Sequence, residues 1–106
     1  MTTVEVNFID AEKLRRMQML HVRFLLFDVR SQEAFQKGHI KSALNLPFAE
    51  FIMTIKKQVP VRETPVVIYD EDGTVGGELA QQCEQMGYLN IVVLEGGIKS
   101  YLVSSS

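Results

Sequence analysis

Residues 66–79 read Val66-Val67-Ile68-Tyr69-Asp70-Glu71-Asp72-Gly73-Thr74-Val75-Gly76-Gly77-Glu78-Leu79. Four β-favouring residues in a row predict a buried strand at the start of this segment. The three glycines then permit a tight turn, and a helical pattern begins at about Glu78. In such a strand–loop–helix connection, inward-facing backbone N–H groups and the helix N-terminus favour a negative charge. The segment therefore predicts a cradle for an anionic group directly after the strand, at Asp70.

Strand-like and helical patterns alternate through the rest of the chain. Apolar and polar residues alternate over residues 4–8, as in a short strand, and further strand segments lie at residues 24–29, 43–46 and 91–94. Helical patterns lie at residues 10–19, 31–36, 48–57, 78–86 and 98–102. Asp10 and Ser31 are predicted N-caps, and Gly38 and Gly87 are predicted to end helices. Mostly continuous apolar strands between helices predict an α/β sandwich with a largely parallel sheet and right-handed crossovers.

Three loops are predicted to meet at one edge of this sheet. In parallel α/β sheets, ligands bind outside the carboxyl ends of the strands. The loop 70–77 follows one strand, Asp28-Val29-Arg30 ends another, and Glu95-Gly96-Gly97 follows the last. The candidate binding residues on this edge are Asp28, Arg30, Asp70, Gly73 and Gly76.

Size and composition limit the classes of protein to which the chain can belong. Its 106 residues suffice for one compact domain, predicted over residues 1–103. The serines at 104–106 are interpreted as a disordered tail or the cut edge of a larger protein. The net charge of -2 gives no electrostatic basis for binding nucleic acid or an anionic membrane. No apolar run reaches membrane-spanning length, and no secretory leader is recognisable.

The chain has a single cysteine, Cys83, which cannot form an internal disulfide, so a reducing, cytoplasmic compartment is expected. Cys83 falls in helical register with Leu79, Ala80 and Met86. This position favours a small buried hydrophobe over a nucleophile. One cysteine and two histidines far apart in sequence do not supply a zinc site. The acidic run at 70–72 lacks the other ligands of a calcium loop. We therefore expect no metal and no cofactor.

Two sets of residues give the chain a resemblance to a known family. The first set comprises Phe27-Asp28-Val29-Arg30, Glu33, Gly38-His39-Ile40, Ala43, Asn45 and Pro47. The second comprises Val66-Val67-Ile68-Tyr69, the loop that follows, Gly87-Tyr88 and Leu94-Glu95-Gly96-Gly97-Ile98. In residue type, order and spacing, these segments resemble the rhodanese-like domain over nearly the whole chain. The resemblance implies a three-layer sandwich in which helices flank a five-stranded, mostly parallel sheet.

The resemblance also implies an active-site loop, and this chain departs from it. Active members of the family carry a cysteine at the end of the fourth strand, which accepts a sulfane sulfur as a persulfide cradled by loop amides. An arginine often ends that loop. With Gly73 aligned to the usual glycine, Asp70 stands at the cysteine position and Val75 at the arginine position. A carboxylate cannot carry sulfur as a persulfide. The related cell-cycle phosphatases need the same cysteine and arginine, so their chemistry is excluded by the same comparison.

The segment Asp70-Glu71-Asp72-Gly73-Thr74-Val75 is therefore interpreted as a degenerate active-site loop without a catalytic residue. Its three carboxylates would repel anionic donors such as thiosulfate. Asp70 is either an anion mimic that fills the amide cradle or a solvated turn residue. Its position at the strand end favours the first interpretation. Glu71 and Asp72 are expected to form an exposed acidic face.

Residues of the first signature also have two interpretations. Asp28, Arg30 and Glu33 either orient a substrate or form an ion-pair and hydrogen-bond network, and the network is favoured. For His39, a structural hydrogen bond is favoured over general-base catalysis, because the loop offers no nucleophile for it to activate.

Basic residues offer a candidate docking surface. Lys56 and Lys57 end a predicted helix. The residues that would extend the surface are Lys13, Arg15, Arg16 and Arg62. In the rhodanese-like domains of MAP-kinase phosphatases, which also lack the catalytic cysteine, a basic helix in roughly this region binds the kinase. The resemblance therefore implies a protein partner, and a solvated helix end is the alternative.

Three functional hypotheses follow. The preferred one is a catalytically inactive rhodanese-like domain that acts as a protein-interaction or regulatory module. The second is a sulfurtransferase that works through Cys83 or through a partner's thiol, which requires an accessible, reactive thiol. The third is a small-anion sensor, which requires Asp70 to leave the amide cradle.

Overall fold

The computed structural model describes residues 6–104 and contains a parallel β-sheet with helices on both faces. Within this range the strands are β1 (Asn7–Ile9), β2 (Leu25–Asp28), β3 (Leu44–Asn45), β4 (Val66–Tyr69) and β5 (Ile91–Leu94). The helices are α1 (Ala11–Met19), α2 (Gln32–Lys37), α3 (Phe48–Gln58), α4 (Thr74–Gln85) and α5 (Gly97–Ser104). Every strand pairing is parallel, in the order β1-β5-β4-β2-β3. The predicted three-layer α/β sandwich with five strands is confirmed.

The sheet separates two apolar cores because successive side chains of a strand point to opposite faces. In β4, Val66 and Ile68 pack with α3 and α4, whereas Val67 and Tyr69 pack with α1 and α5. All four of these residues are buried, as the continuous apolar sequence of β4 predicts. Asp28 of β2 pairs with Tyr69 of β4, so the carboxyl ends of these strands lie side by side.

Helix α4 begins earlier than the sequence predicts. Its first residue is Thr74 rather than Glu78, so Gly76 and Gly77 lie in its first turn and not in a loop. Gly76 packs so closely on β5 that a Cβ atom there would approach Cγ1 of Val93 within 2.9 Å. Glycine at this position therefore permits close packing of helix on sheet.

The predicted helix caps agree with the structure, with one difference. Asp10 accepts the backbone N–H of Lys13 at 2.8 Å, and Ser31 accepts that of Ala34 at 3.2 Å. Gly38 ends α2 as predicted, but its φ of 165° is extended backbone and not the left-handed conformation typical of a C′ glycine. A side chain at position 38 would therefore cause no backbone strain.

The two ends of the chain differ from the predicted boundaries. Strand β1 occupies Asn7–Ile9 instead of residues 4–8, and positions 4 and 5 lie outside the described residues. Helix α5 continues through Ser104, so this residue is helical and does not belong to a disordered tail. Positions 105 and 106 lie outside the described residues. Between residues 6 and 104, none of the helices combines the length and apolar character needed to cross a bilayer.

Candidate functional site

Asp70 directly follows β4, and its carboxylate lies within a ring of backbone N–H groups. Its Oδ1 accepts the N–H of Gly73 at 2.7 Å, and its Oδ2 accepts those of Val75 at 2.6 Å and Gly76 at 3.2 Å. Only 4% of the residue is exposed. Val75 and Gly76 belong to the first turn of α4, where the helix dipole favours a negative charge. The carboxylate thus occupies the position where these amides would hold an anionic ligand.

Asp72 completes the N-terminus of α4. Its Oδ1 accepts the backbone N–H of Thr74 at 3.1 Å and the hydroxyl of Thr74 at 2.8 Å. These hydrogen bonds lower the pKa of the exposed Asp72 carboxyl. Gly73 lies between the two aspartates with φ +96°, a conformation that glycine adopts without strain. Two carboxylates of one loop therefore satisfy the first amide groups of the helix, which have no partners within the helix itself.

The loop between β5 and α5 packs directly on the Asp70 loop. The N–H groups of Ile98 and Lys99 donate to the carbonyl oxygens of Asp70 at 3.0 Å and Glu71 at 3.2 Å. Gly97 has φ +62°, and a Cβ atom there would lie 2.5 Å from the carbonyl oxygen of Glu71. The predicted meeting of these loops at the carboxyl edge of the sheet is confirmed by these contacts.

The buried Asp28 and the partly buried Arg30 form an ion pair beside the same loops. Nη2 of Arg30 lies 2.7 Å from Oδ2 of Asp28, and the backbone N–H of Arg30 donates to Oδ1 of Asp28 at 2.9 Å. The hydrogen bond to Asp28 raises the pKa of the guanidinium group. Nη2 also donates to the carbonyl oxygen of Gly38 at 2.6 Å, and Nη1 donates to Oε2 of Glu71 at 3.3 Å. The favoured structural network is present, but Glu71 is its second carboxylate, and the exposed Glu33 takes no part in it.

The only thiol of the chain lies away from this edge. Cys83 is buried in the core between the sheet and helices α3 and α4, and burial raises its pKa to about 11. It follows Val75 by eight residues in the same helix, which corresponds to about 12 Å along the helix axis. Its predicted role as a small buried hydrophobe is confirmed. Val75, which the resemblance places at the arginine position, donates its backbone N–H to Oδ2 of Asp70 at 2.6 Å.

His39 has a structural environment. Its Nδ1 lies 2.9 Å from the carbonyl oxygen of Phe35, and its ring stacks on the Phe35 ring at a centroid distance of 3.8 Å. The structural hydrogen bond predicted for it is confirmed. Among residues 6–104, no three or more His, Cys, Asp or Glu side chains are grouped so that they could hold a metal ion.

The predicted basic surface divides into separate parts. Lys56 and Lys57 are exposed at the end of α3, on one face of the sheet. Helix α1, which carries Lys13, Arg15 and Arg16, packs on the opposite face. A single patch containing both helices is therefore excluded by the sheet between them. The guanidinium group of Arg62 lies 4.8 Å from the centre of the Tyr88 ring, a cation–π contact.

A cleft beside the Asp70 loop was not predicted from the sequence. It has a volume of about 310 Å³ and lies between α2 and α5, with Lys37 and Lys99 in its lining. These two lysines are 62 residues apart in sequence, so no local motif links them. The sequence offered one indication: each lysine comes after a loop predicted to lie at the carboxyl edge of the sheet.

Known proteins resemble the chain in sequence. The family model of the rhodanese-like domain matches residues 10–103. Thiosulfate sulfurtransferase PspE of Escherichia coli (strain K12) is 33% identical over 72 residues, which cover 68% of this chain and 68% of PspE. Centrosomal protein of 41 kDa from Xenopus tropicalis is 29% identical over 83 residues, which cover 72% of this chain. That alignment covers 23% of the centrosomal protein, so the chain spans about a quarter of this relative's length.

Solved structures share the architecture. Reduced Bacillus anthracis CoADR-RHD superposes with a TM-score of 0.80 at 26% identity, covering 91% of this chain and 16% of that one. The human single-domain sulfurtransferase TSTD1 gives a TM-score of 0.80 at 24% identity, covering 96% of this chain and all of that one, a likeness of fold alone. With a family match over residues 10–103 and the same parallel sheet, the chain belongs to the rhodanese-like domain family.

Proposed function

We propose that this chain is a catalytically inactive rhodanese-like domain that acts as a protein-interaction or regulatory module. The observation that carries the proposal is the Asp70 carboxylate, which accepts three backbone N–H groups in the active-site loop. In active members of the family, a cysteine sulfur is expected at this position. Persulfide chemistry requires a thiolate, and a carboxylate oxygen cannot replace it.

The surroundings of Asp70 support the same proposal. The amides that would stabilise a persulfide or a bound anion already donate to the carboxylate. Glu71 and Asp72 are exposed next to it and would repel an anionic donor. Cys83 cannot take over the role, because it is buried and its pKa is raised to about 11, which leaves little thiolate at neutral pH.

A role in recognition agrees with the way the edge of the sheet is built. The contacts of Asp70, of Arg30 with Asp28, and of Ile98 fix three loops in one arrangement. Rigid loops on a regular scaffold are suited to presenting a binding surface. Lys56 and Lys57 remain a second candidate surface at the end of α3. The single buried, unpaired cysteine supports a cytoplasmic location as part of this proposal.

The first test measures sulfur uptake. The purified protein is incubated with thiosulfate or mercaptopyruvate, and intact-mass spectrometry then searches for the added mass of one sulfur atom. Cyanide is added in a parallel reaction, and thiocyanate is measured. We expect neither product, because the chain has no activated thiolate. Sulfur addition together with thiocyanate turnover would contradict the proposal.

A gain-of-function variant tests the role of Asp70 itself. Asp70→Cys combined with Val75→Arg places a thiol within the ring of amides, which lower the pKa of a thiol, and an arginine at the loop end. We expect this variant to accept some sulfur from thiosulfate. The matched control, Asp70→Ser with Val75→Arg, has the same loop and the same arginine but no thiol, and should accept none.

A further inference from the structure

The cleft between α2 and α5 differs in character from the amide ring next to it. Its volume is about 310 Å³, at the small end of the range for ligand-binding pockets. Part of its lining is apolar and comes from Ala34, Ile40, Ile98 and Leu102. The charged and titratable part of the lining comes from Arg30, Lys37, His39, Lys99 and Glu71. Cationic groups thus outnumber carboxylates in the cleft, although the whole chain carries a net charge of -2.

The cationic groups of the cleft differ in how far they are already engaged. Lys37 and Lys99 are exposed, and within residues 6–104 neither ammonium group forms a salt bridge. Arg30 is held through Nη2 by its ion pair with the buried Asp28. Among residues 6–104, the one hydrogen bond of its Nη1 goes to Oε2 of Glu71, at 3.3 Å, and the Glu71 side chain is 53% exposed. An exposed ion pair of this length contributes little stability, so an incoming carboxylate can replace it.

We propose that this cleft binds an extended acidic segment of a partner protein. One carboxylate of the segment replaces Glu71 at Nη1 of Arg30, and neighbouring carboxylates approach Lys37 and Lys99. This inference deepens the proposed function and rests on it, because it identifies the chemistry of the partner that the module recognises. Glu71 occupies the position of the partner's carboxylate in the absence of the partner.

Three properties of the cleft favour this occupant. The guanidinium group of Arg30 is fixed by Asp28 and by the Gly38 carbonyl, so binding costs little side-chain entropy. The cations come from two helices and a loop, an arrangement suited to several carboxylates along one chain. The accessible apolar lining from Ala34 and Leu102 can contact the methylene groups of acidic side chains or an interspersed leucine. A small free anion would use only the first of these properties.

Titration of the ¹⁵N-labelled protein with a short acetylated and amidated peptide of alternating glutamate and leucine tests the inference. We expect saturable shifts of the backbone amides of Lys37, Gly38 and Lys99, and no shifts with a peptide carrying glutamine in place of glutamate. Citrate at matched carboxylate concentration is the small-anion control. Equal shifts with citrate alone would overturn the assignment to a peptide.

Variants then locate the binding surface. Lys99→Glu should weaken binding about tenfold, and Glu71→Gln should strengthen it about threefold by removing the competing carboxylate. Arg23→Glu is the matched charge reversal, because the exposed Arg23 precedes β2 and lies at the opposite edge of the sheet. It should leave the affinity unchanged. Equal weakening by Arg23→Glu, or weakening by Lys56→Glu but not by Lys99→Glu, would overturn the inference.

The two proposals fail in different ways. A protein that takes up sulfur from thiosulfate contradicts the inactive module, whatever the peptide does. A protein that takes up no sulfur and shows no saturable peptide shifts contradicts only the acidic-segment inference. The folded state of each variant is checked by the same ¹⁵N spectrum, so loss of binding through unfolding is recognised directly.

Discussion

Replacing Asp70 by alanine should open the loop as an anion site and destabilise the fold. Three backbone N–H groups lose their acceptor, at present 2.6 to 3.2 Å away. A hydrogen bond to a charged group contributes about 1.5–3 kcal/mol, but the amides of Gly73 and Val75 are only partly buried and gain water in the variant. We therefore expect the free energy of unfolding to fall by about 3 kcal/mol, which corresponds to a fall in Tm of about 12–24 °C.

The same variant should then respond to anions, unlike the wild type. The emptied ring of amides at the start of α4 favours sulfate or thiosulfate. At a ligand concentration ten times Kd, binding adds about 1.4 kcal/mol to the free energy of unfolding. Thermal unfolding followed by circular dichroism, with sodium thiosulfate compared with sodium chloride of equal ionic strength, measures this gain. The wild type should show none, because Asp70 fills the ring.

Glu71→Ala is the matched control for Asp70→Ala. It removes the same charge one residue away, where the side chain is half exposed and makes one contact with Arg30 at 3.3 Å. We expect Glu71→Ala to lower the free energy of unfolding by about 0.5 kcal/mol or less. The explanation of the loop is refuted if Asp70→Ala is as stable as Glu71→Ala. It is also refuted if thiosulfate stabilises the wild type as much as it stabilises the alanine variant, since the ring would then be open already.

The remaining predictions concern the buried thiol and two glycines. Cys83 should react slowly with a thiol reagent in the native state and rapidly after unfolding. The pKa of Cys83 is about 11 in the folded state and lower in the unfolded state, so the unfolded state loses the thiol proton first as the pH rises. The free energy of unfolding should therefore fall between about pH 9 and 11. The Cys83→Ala variant should lack this part of the fall. Gly97→Ala should cost about 3 kcal/mol or more in urea unfolding, since φ is +62° and the added Cβ meets the Glu71 carbonyl. Gly38→Ala, with extended backbone and open space, should change stability by less than about 1 kcal/mol.

Strands β4 and β5 were predictable because their sequences leave few alternatives. Val66–Tyr69 and Ile91–Leu94 are short, β-branched apolar runs bounded by turn residues, and both form strands over these same residues. Helical segments between such runs require parallel strands with crossovers. The position of Asp70 at the carboxyl edge follows directly, because it is the first residue after β4.

The start of α4 was not predictable from local preference. Glycine disfavours helix interiors, so Gly76 and Gly77 suggested a loop. The helix nevertheless includes them because Asp70 and Asp72 satisfy its first amide groups from outside. The need for glycine at position 76 comes from Val93, which is distant in sequence and adjacent only in the folded sheet.

The charged surfaces were predictable only in part, because a sequence does not reveal which face of a sheet each helix covers. From the sequence, the basic residues of α1 and α3 were candidates for one shared surface. In the structure, the sheet lies between the two helices and separates them. The pair of Arg30 with Asp28 is local and was expected. The contact of Arg30 with Glu71 joins two loops that are 41 residues apart, and it is visible only in the structure.

Asp70 and Glu71 are adjacent acidic residues with different physical roles. Asp70 is buried and accepts three backbone N–H groups, so its removal leaves these donors without an acceptor. Another carboxylate cannot displace it at low energetic cost. Glu71 is half exposed and makes one long contact with an arginine already fixed by Asp28, so exchange with another carboxylate changes the energy little. The amides of Gly73, Val75 and Gly76 need an acceptor in this geometry, and the Asp70 carboxylate supplies it. Under the proposed binding of an acidic segment, Glu71 and not Asp70 is therefore the carboxylate that a partner's carboxylate replaces.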